Sequence, residues 1–362
     1  MSDIKIGLIG GSGLGEALGS QEAGTRHEVQ TPFGPPSDAI LETNWGGVPV
    51  FVLSRHGPGH LLNPSQVPYR ANIFALKKLG VTHIIASGAV GSLREQFRPR
   101  DLVIPDQIID KTCTRAATFF DYAAVHVEFA EPFCPVLRRI LVEAGEEDAG
   151  TRGRGDAGRE GEAPVVGGES AESEGRAPEA VASSVAPSPR PLVPASPRPP
   201  LPAFTTHSRG CYVAMEGPAF STRAESLMHR LWGGDLIGMT AMPEAKLARE
   251  AEIPYALVAL VTDYDCWRKA APANPGSAAP AAQQADPAEL LKEIIANLRA
   301  ASDNGIALMR RAVERIAREP QALAACPARD ALTLAIWSDK ARIPREQVEL
   351  LAPLWMRYFE GL

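Results

Sequence analysis

The sequence predicts an α/β fold in which strands and helices alternate around one sheet. Short apolar runs of strand length recur along the chain and end in glycine or polar residues. Between them lie longer segments with apolar residues at helical spacing. No internal repeat is visible. The 362 residues, 45% of them hydrophobic, are compatible with one large domain and a substantial core.

Seven strands are predicted because short apolar runs are bounded by glycine, proline or polar residues. The run at 255–262 is wholly apolar, which is typical of a fully buried strand. Pro105 marks another run as an edge strand or as a strand with a bulge. In chain order the predicted strands are 4–9, 48–53, 82–87, 102–109, 211–215, 235–238 and 255–262.

Helices are predicted between and after these strands. In the first of them Ile73, Leu76 and Leu79 recur at helical spacing, and the segment 286–318 is long and amphipathic. The predicted helices are 66–79, 132–144, 221–232, 242–252, 286–318 and one after Pro344.

Two segments have a composition that does not build a core. Residues 145–203 are dominated by Gly, Ala, Glu, Ser, Arg and Pro, and burial of their few apolar groups would not offset the entropy of ordering them. We interpret them as a disordered insertion in a surface loop, with P-x-x-P spacings that leave a docking site for a proline-binding module open. The Pro/Ala-rich segment 270–285 is interpreted as a mobile loop. Both belong to a single predicted domain, 1–362, whose last part, 286–362, is helical.

Charge and cysteine content exclude several classes of protein. The formal net charge of -6 argues against a general nucleic-acid binder, which usually carries a basic face. Five cysteines without a C-x-x-C pair predict neither a disulfide framework nor a zinc site, and indicate a reducing cytoplasm. The N-terminus does not have the pattern of a signal peptide, and no apolar run of about 18 residues predicts a membrane span.

Four strand ends carry small or polar residues that can bind an anion. Any one of them could be an ordinary turn, but ligands of α/β sheets gather at the carboxyl ends of strands. Together they predict a shared anion site. The four ends are Gly10 to Gly13, Ser54 to Gly57, Ser87 to Gly91, and Met239-Thr240.

The glycine turn does not match a dinucleotide-binding fingerprint. A G-x-G-x-x-G pattern from Gly11 would need glycine where Glu16 stands, and one from Gly10 would need it at Ser12. The lysine of a P-loop is also absent. A dehydrogenase is therefore not expected, whereas backbone N–H groups and the Ser12 hydroxyl could hold a single phosphate.

The chain resembles the trimeric purine nucleoside phosphorylase family, and within it the branch that acts on methylthioadenosine. The resemblance implies a three-layer α/β fold with a distorted mixed central sheet, a homotrimer, phosphate as co-substrate, and no metal or organic cofactor. The matching stretches are Gly7 to Leu14, Thr31 to Asp38, Ser54 to Gly57, Ala71 to Arg94, Glu131 to Pro135, Met215 to Ser226, Met239 to Glu244, and Thr262 to Trp267.

The resemblance also implies a role for individual residues. Arg55 would offer phosphate a bidentate fork. Gly88 departs from the family, which often has threonine there, so that a hydroxyl is lost while the backbone N–H remains. The phosphate-binding residues implied are Ser12, Arg55, His56, Gly88, Ala89 and Thr240.

Three further positions are implied to contact the nucleoside. Met239 would line the ribose and Phe220 would pack near the base, although both could be core residues. His126 would reach the neighbouring subunit's site near the 5′ substituent, or could be a surface histidine. The methylthio pocket is expected near 290–295.

Asp263 and Asp265 are the implied catalytic and base-binding residues. Residues i and i+2 of an extended strand point to one side, although two solvated loop acids are the alternative. A carboxylate accepts from the adenine amino group, and a carboxylic acid with a raised pKa, or a hydrogen-bonded relay, can protonate the leaving purine. Oxopurine-specific relatives carry asparagine in place of Asp263 and glutamate in place of Ser221, which could otherwise be a helix N-cap.

The expected reaction is phosphorolysis of methylthioadenosine to adenine and 5-methylthioribose 1-phosphate. The alternatives are phosphorolysis of methylthioinosine, adenosine or inosine, and a non-catalytic nucleoside-sensing scaffold on the same fold. Intact Arg55, His56, Thr240 and Asp263 argue against the scaffold.

Overall fold

The computed structural model describes residues 4–11, 23–154, 204–268 and 287–360. Their strands form one mixed sheet with two faces covered by helices, so the predicted α/β class is confirmed. The strands are β1 (Ile6–Gly10), β2 (Thr25–His27), β3 (Ile40–Trp45), β4 (Val48–Ser54), β5 (His83–Ser92), β6 (Leu102–Val103), β7 (Gln107–Asp110), β8 (Thr206–His207), β9 (Cys211–Ala214), β10 (Leu236–Gly238) and β11 (Tyr255–Tyr264).

The helices of the described residues pack in two layers. The α-helices are α1 (Tyr69–Lys78), α2 (Pro135–Arg154), α3 (Arg223–Leu231), α4 (Ala241–Glu250), α5 (Pro287–Arg318), α6 (Arg345–Leu350) and α7 (Ala352–Trp355).

The sheet places the ends of four parallel strands side by side. β1 lies between β4 and β5, with Gly10 opposite Ser54 and Ile9 opposite Ala86. β11 runs parallel along the other edge of β5. The carboxyl ends of β4, β1, β5 and β11 therefore lie at the same side of the sheet, where ligands of α/β proteins bind.

Alternating side chains of the central strands build two separate cores. Ile9 of β1 packs into the core that α1 and α4 cover, whereas its neighbour Leu8 packs into the core under α2 and α5. Because successive side chains of a strand point to opposite faces, this alternation requires helices on both. The result is the three-layer arrangement that the family resemblance implied.

Several predicted boundaries were wrong for identifiable reasons. The predicted strand 102–109 is broken at Pro105 into β6 and β7, because proline cannot donate to a ladder. The helix predicted at 132–144 begins at Pro135 and continues to Arg154. Arg315 of α5 pairs with Glu143 and Glu147 of this helix, at 2.8 and 2.5 Å. The first residues of the predicted insertion are therefore helical.

Other segments were missed or lie elsewhere. The short strands β2, β3 and β8 were not predicted, and the helix after Pro344 is split into α6 and α7. The remainder of the predicted insertion, 155–203, and the predicted mobile loop lie outside the described residues. Within those that are described, no helix has the length and apolar character needed to cross a membrane.

A buried histidine makes the stability of this fold depend on pH. Burial, and then the charge of Arg329, lower the pKa of His83 to about 4 from 6.5. In the unfolded chain His83 binds a proton below about pH 6.5, whereas in the folded chain it does so only below about pH 4. The free energy of unfolding therefore falls as pH falls from 6.5 to 4. We expect His83 to account for about 2 kcal/mol of the loss between pH 8 and pH 5. Urea unfolding of the wild type and His83→Asn at both pH values measures it, and an equal pH dependence in the two proteins would contradict the assignment.

Candidate active site

The glycine turn after β1 packs directly against the ends of its two neighbours. A Cβ at Gly11 would lie 2.9 Å from Arg55 Nη1 and 3.3 Å from the Cα of Gly88. The Gly11 N–H also points to the Ser87 hydroxyl, at 3.5 Å. The close approach requires glycine at this position, and it brings together three of the four predicted strand ends.

Arg55 lies at the centre of this edge but does not present its fork to solvent. Its side chain is fully buried, with Nε and Nη2 each 2.7 Å from a carboxylate oxygen of Glu244. Nη1 donates to the Ser87 carbonyl at 2.7 Å. Burial alone would lower the pKa of Arg55, but the charge and hydrogen bonds of Glu244 raise it. The expectation that the guanidinium fork binds phosphate is thus corrected, because Nε and Nη2 already donate to Glu244. One N–H on each of Nη1 and Nη2 has no acceptor among these contacts.

His56 is held as a neutral ring beside this pair. Its Nδ1 lies 2.7 Å from the Leu62 carbonyl, an acceptor only, so Nδ1 carries the proton and Nε2 keeps a lone pair. Burial, followed by the charge of Arg55, lowers the pKa of His56 to about 4. The ring stacks on His60 with 4.2 Å between centroids. His56 can therefore accept a hydrogen bond from a ligand at neutral pH.

Thr240 brings the fourth strand end to the same place. Its hydroxyl makes no capping bond to α4 and lies 3.4 Å from where a Cβ on Gly88 would be. Met239 precedes it and is half-buried, in contact with Gly217, where a Cβ would lie 2.5 Å from the Met239 sulfur. Met239 is therefore not a fully buried core residue. Ala89 follows Gly88 in β5 and is half-buried.

The two acids stand at the end of β11, beside the last residues of β5. Asp263 pairs with Gly91 inside the strand, after a register shift that leaves Thr262 as the extra residue, and Asp265 donates its N–H to the Ser92 carbonyl. The predicted strand end at Thr262 was thus too early. Asp265 is only 9% exposed, so the acids are not a solvated loop.

Burial, and then the charge of Asp265, raise the pKa of Asp263 against a 2.6 Å hydrogen bond from the Thr262 hydroxyl. Oδ2 of Asp265 is buried and has no hydrogen-bond partner among the described residues. Asn297 of α5 donates to the Thr262 carbonyl at 3.0 Å and fixes the strand end from the other side. Ionisation of Asp263 is therefore less favourable than in water, and it lies beside an unpaired acceptor oxygen of Asp265.

The remaining predicted residues lie around this cleft in different environments. Phe220 is 86% exposed, which contradicts the alternative of core packing. Thr222, and not Ser221, caps α3, because its hydroxyl accepts from Glu225 N. The carbonyl of Ser221 instead accepts a hydrogen bond from the thiol of Cys266, at 3.3 Å, and Cys266 follows Asp265 in the chain.

His126 and the side chains of the expected methylthio region are exposed. The ring of His126 packs on Trp337, 4.6 Å between centroids, and Trp337 is 72% exposed. Leu291 and Ile295 of α5 are exposed as well. Ser12 lies outside the described residues, as does the side chain of Leu290.

Sequence reasoning missed the residues that hydrogen-bond to the predicted site residues and hold them in place, which are Glu244, Arg115 and Tyr212. Glu244 looks like an ordinary acid in the first turn of a helix, where the dipole favours it. The buried side chain of Arg115 pairs with the half-buried Glu216 at 3.2 Å, but 111–131 carries no periodic pattern from which an element could be predicted. Tyr212 looks like any aromatic residue of a core strand. A buried charge shows itself only once its partner, distant in sequence, is known.

The sequence is similar to that of known phosphorylases. A family model described as the phosphorylase superfamily matches residues 5–314. The S-methyl-5′-thioadenosine phosphorylase of Geobacter sulfurreducens is 41% identical over 96% of each chain, and that of Thermosynechococcus vestitus is 45% identical over 73% of each.

Solved structures give the same result. A methylthioadenosine phosphorylase from an Antarctic soil metagenomic library is 37% identical with a TM-score of 0.72, covering 98% of this chain and 99% of that one. The methylthioadenosine phosphorylase from Schistosoma mansoni in complex with adenine is 30% identical with a TM-score of 0.68, covering 92% and 99%.

The buried ion pair predicts an uneven response to charge removal. Glu244→Gln leaves the charge of Arg55 buried with weaker acceptors, so we expect a loss of about 3–5 kcal/mol in the free energy of unfolding. Glu349→Gln is the matched control, because it removes one charge from the exposed pair with Arg345 and should cost less than about 1 kcal/mol. Denaturant titration of both variants measures the difference, and similar losses would show that the Arg55 pair adds no special stability.

Proposed function

The chain belongs to the phosphorylase superfamily, and from that premise we propose how its cleft carries out the reaction. It is a pentosyltransferase that uses phosphate to split S-methyl-5′-thioadenosine into adenine and 5-methylthioribose 1-phosphate. The observation that supports this assignment is the pair Asp263 and Asp265 beside the anion-binding strand ends. No feature of the described residues favours the scaffold alternative over catalysis.

The spacing along β5 matches the length of the substrate pair. Gly88 at the proposed phosphate site and Gly91 beside Asp263 are three residues apart, about 10 Å at the rise of an extended strand. A ribosyl group fits between a phosphate at the first position and a purine at the second. We place the sugar over Met239, whose side chain borders Gly217.

Phosphate is proposed to bind through several single contacts. The N–H groups of Arg55 that Glu244 leaves free would supply charge, and Thr240 and Ser12 would supply hydroxyl donors. Backbone N–H groups of Gly88 and Ala89 complete the set. His56 would accept a hydrogen bond from a protonated phosphate oxygen through Nε2, or take up that proton when the anion binds.

The base is proposed to be read and released by the acids. Asp265 accepts from the adenine amino group, and Asp263, whose pKa is raised, protonates the ring nitrogen of the departing purine. As the glycosidic bond breaks, bound phosphate stabilises the oxocarbenium character of the sugar and then attacks the anomeric carbon. Proton and electron pair move to the base, while phosphate forms the new C–O bond.

The surroundings of the nucleoside form the outer part of the proposal. Phe220 and Ser221 would border the base, and Leu291 with Ile295 would line the methylthio group. Their exposure in a single chain is consistent with a homotrimer in which His126 of the partner subunit completes the 5′ end. The chain acts as one domain, with the insertion starting after α2, and the proposed steps use phosphate and the chain's own residues.

Base release from matched substrates tests the function, and Asp263→Asn tests the acid. The wild type should release adenine from methylthioadenosine only with phosphate, and faster than it releases hypoxanthine from methylthioinosine. Asp263→Asn should slow adenine release by about 100-fold or more, because an amide cannot give up a proton. Hypoxanthine release should fall less, since the amide can donate to the 6-carbonyl.

Asp106→Asn is the control, because Asp106 pairs with Arg209 at the amino end of β9, away from the cleft. It should keep wild-type rates. Faster release of hypoxanthine by the wild type would transfer the assignment to an oxopurine nucleoside, and unchanged turnover in Asp263→Asn would refute the acid.

Gly88 predicts a gain of phosphate affinity. Among the residues that the structure describes, a Cβ there meets only the Thr240 hydroxyl, at 3.4 Å, which leaves room for a side chain. Gly88→Thr adds one hydroxyl donor, and we expect the KM for phosphate to fall about 2- to 10-fold, the value of one hydrogen bond. Gly88→Ala adds the Cβ alone and should not lower it. Equal KM values in the two variants would show that a side chain at position 88 does not reach the phosphate.

A further inference from the structure

Arg115 gathers main-chain oxygens from both sides of the cleft. Its side chain is 2% exposed. Nη1 lies 2.5 Å from the carbonyl oxygen of Met239 and 2.7 Å from that of Met242, and Nη2 donates to the carbonyl of Glu216. One guanidinium thus ties the start of α4 to the segment that follows β9.

Tyr212 holds the other side of the same peptide group. Its hydroxyl oxygen accepts from the Thr240 N–H at 3.3 Å. The ring reaches this position because residue 238 is glycine, where a Cβ would lie 2.1 Å from the Tyr212 oxygen. The peptide between Met239 and Thr240 is therefore held at its oxygen by Arg115 and at its N–H by Tyr212.

The loop that carries Arg115 is itself fixed. The Glu216 carboxylate accepts from Cys113 N at 2.7 Å, from the Thr114 hydroxyl at 2.6 Å and from the Ser65 hydroxyl at 2.7 Å. Arg115 approaches the same carboxylate through Nε, at 3.2 Å. Its guanidinium is consequently held in one orientation before any ligand arrives.

We propose that Arg115 and Tyr212 are positioning residues that hold the Met239–Thr240 peptide in the orientation needed to bind ribose and phosphate. The inference rests on the proposed phosphorolysis. β10 has only three residues and ends at Gly238, so ladder hydrogen bonds do not extend to Met239 and Thr240. The Thr240 hydroxyl makes no capping bond to α4, so it stays available to a ligand, and its position depends on the backbone that carries it. A displacement of about 1 Å at such a position can cost about 100-fold in rate.

The test compares Arg115→Lys and Tyr212→Phe with a matched arginine. Lysine keeps the charge but cannot reach three oxygens in one plane. Arg138 is the control, because it also donates to two carbonyls, of Pro105 at 2.8 Å and Ser208 at 2.7 Å, away from the cleft. We measure melting temperature, kcat, KM for phosphate and for methylthioadenosine, and the rise in melting temperature caused by phosphate without nucleoside.

Arg115→Lys should lower kcat/KM about 10- to 100-fold and weaken phosphate stabilisation, at a loss of melting temperature no larger than that of Arg138→Lys. Tyr212→Phe should act in the same direction, by about 2- to 10-fold. Because both side chains hold one peptide, the double variant should lose less than the product of the single losses.

Wild-type kinetic constants and phosphate shift in Arg115→Lys would overturn the proposal, as would fully multiplicative losses in the double variant. A wild-type enzyme that does not release adenine would instead refute the proposed function. The phosphate shift would then still decide whether Arg115 and Tyr212 shape the anion site.

Discussion

The buried ion pair between Arg55 and Glu244 fixes the geometry at the carboxyl edge of the sheet. Arg55 follows β4, Glu244 belongs to α4, and the carboxylate also accepts from the Tyr255 hydroxyl at 2.9 Å, at the start of β11. A third contact joins Arg55 to the carbonyl of Ser87 in β5. Removing both ions from water is costly, and only a complete set of hydrogen bonds compensates for it. The four elements can therefore meet in one arrangement only, and that arrangement brings the strand ends together.

Charge is distributed along this edge as the chemistry requires. At one end of the β5 segment, Arg55, backbone N–H groups and the Thr240 hydroxyl provide donors for an anion. At the other end lie Asp263 and Asp265, the acid and the acceptor that we propose for the base. Because Glu244 already neutralises Arg55, the end proposed to bind phosphate is not strongly cationic. Burial and the charge of Asp265 raise the pKa of Asp263, so ionisation of Asp263 is less favourable here than in water.

Sequence reasoning succeeded where a local pattern reports directly on structure. Apolar runs that end in glycine predicted the central strands, and the structure brings their polar ends together. That these ends bind an anion stays a prediction. Sequence reasoning failed where partners are distant: the fork of Arg55 was assigned to phosphate because nothing local shows that Glu244 occupies it. The short strands β2 and β8 were missed because their pairing partners, and not their own composition, make them strands.

The same distinction separates residues that meet the substrate from residues that position them. Thr240 can be assigned from a motif, but its hydroxyl has a defined direction only through the peptide that precedes it. That peptide lies past the end of a three-residue strand, where neither ladder nor helix supplies both of its hydrogen bonds. Side chains must therefore supply them, and they must be buried so that water does not compete. Arg115 and Tyr212 satisfy both conditions, and Gly238 is glycine because the tyrosine ring could not otherwise reach the N–H. The rate of the reaction is thus set partly by residues that never touch the nucleoside.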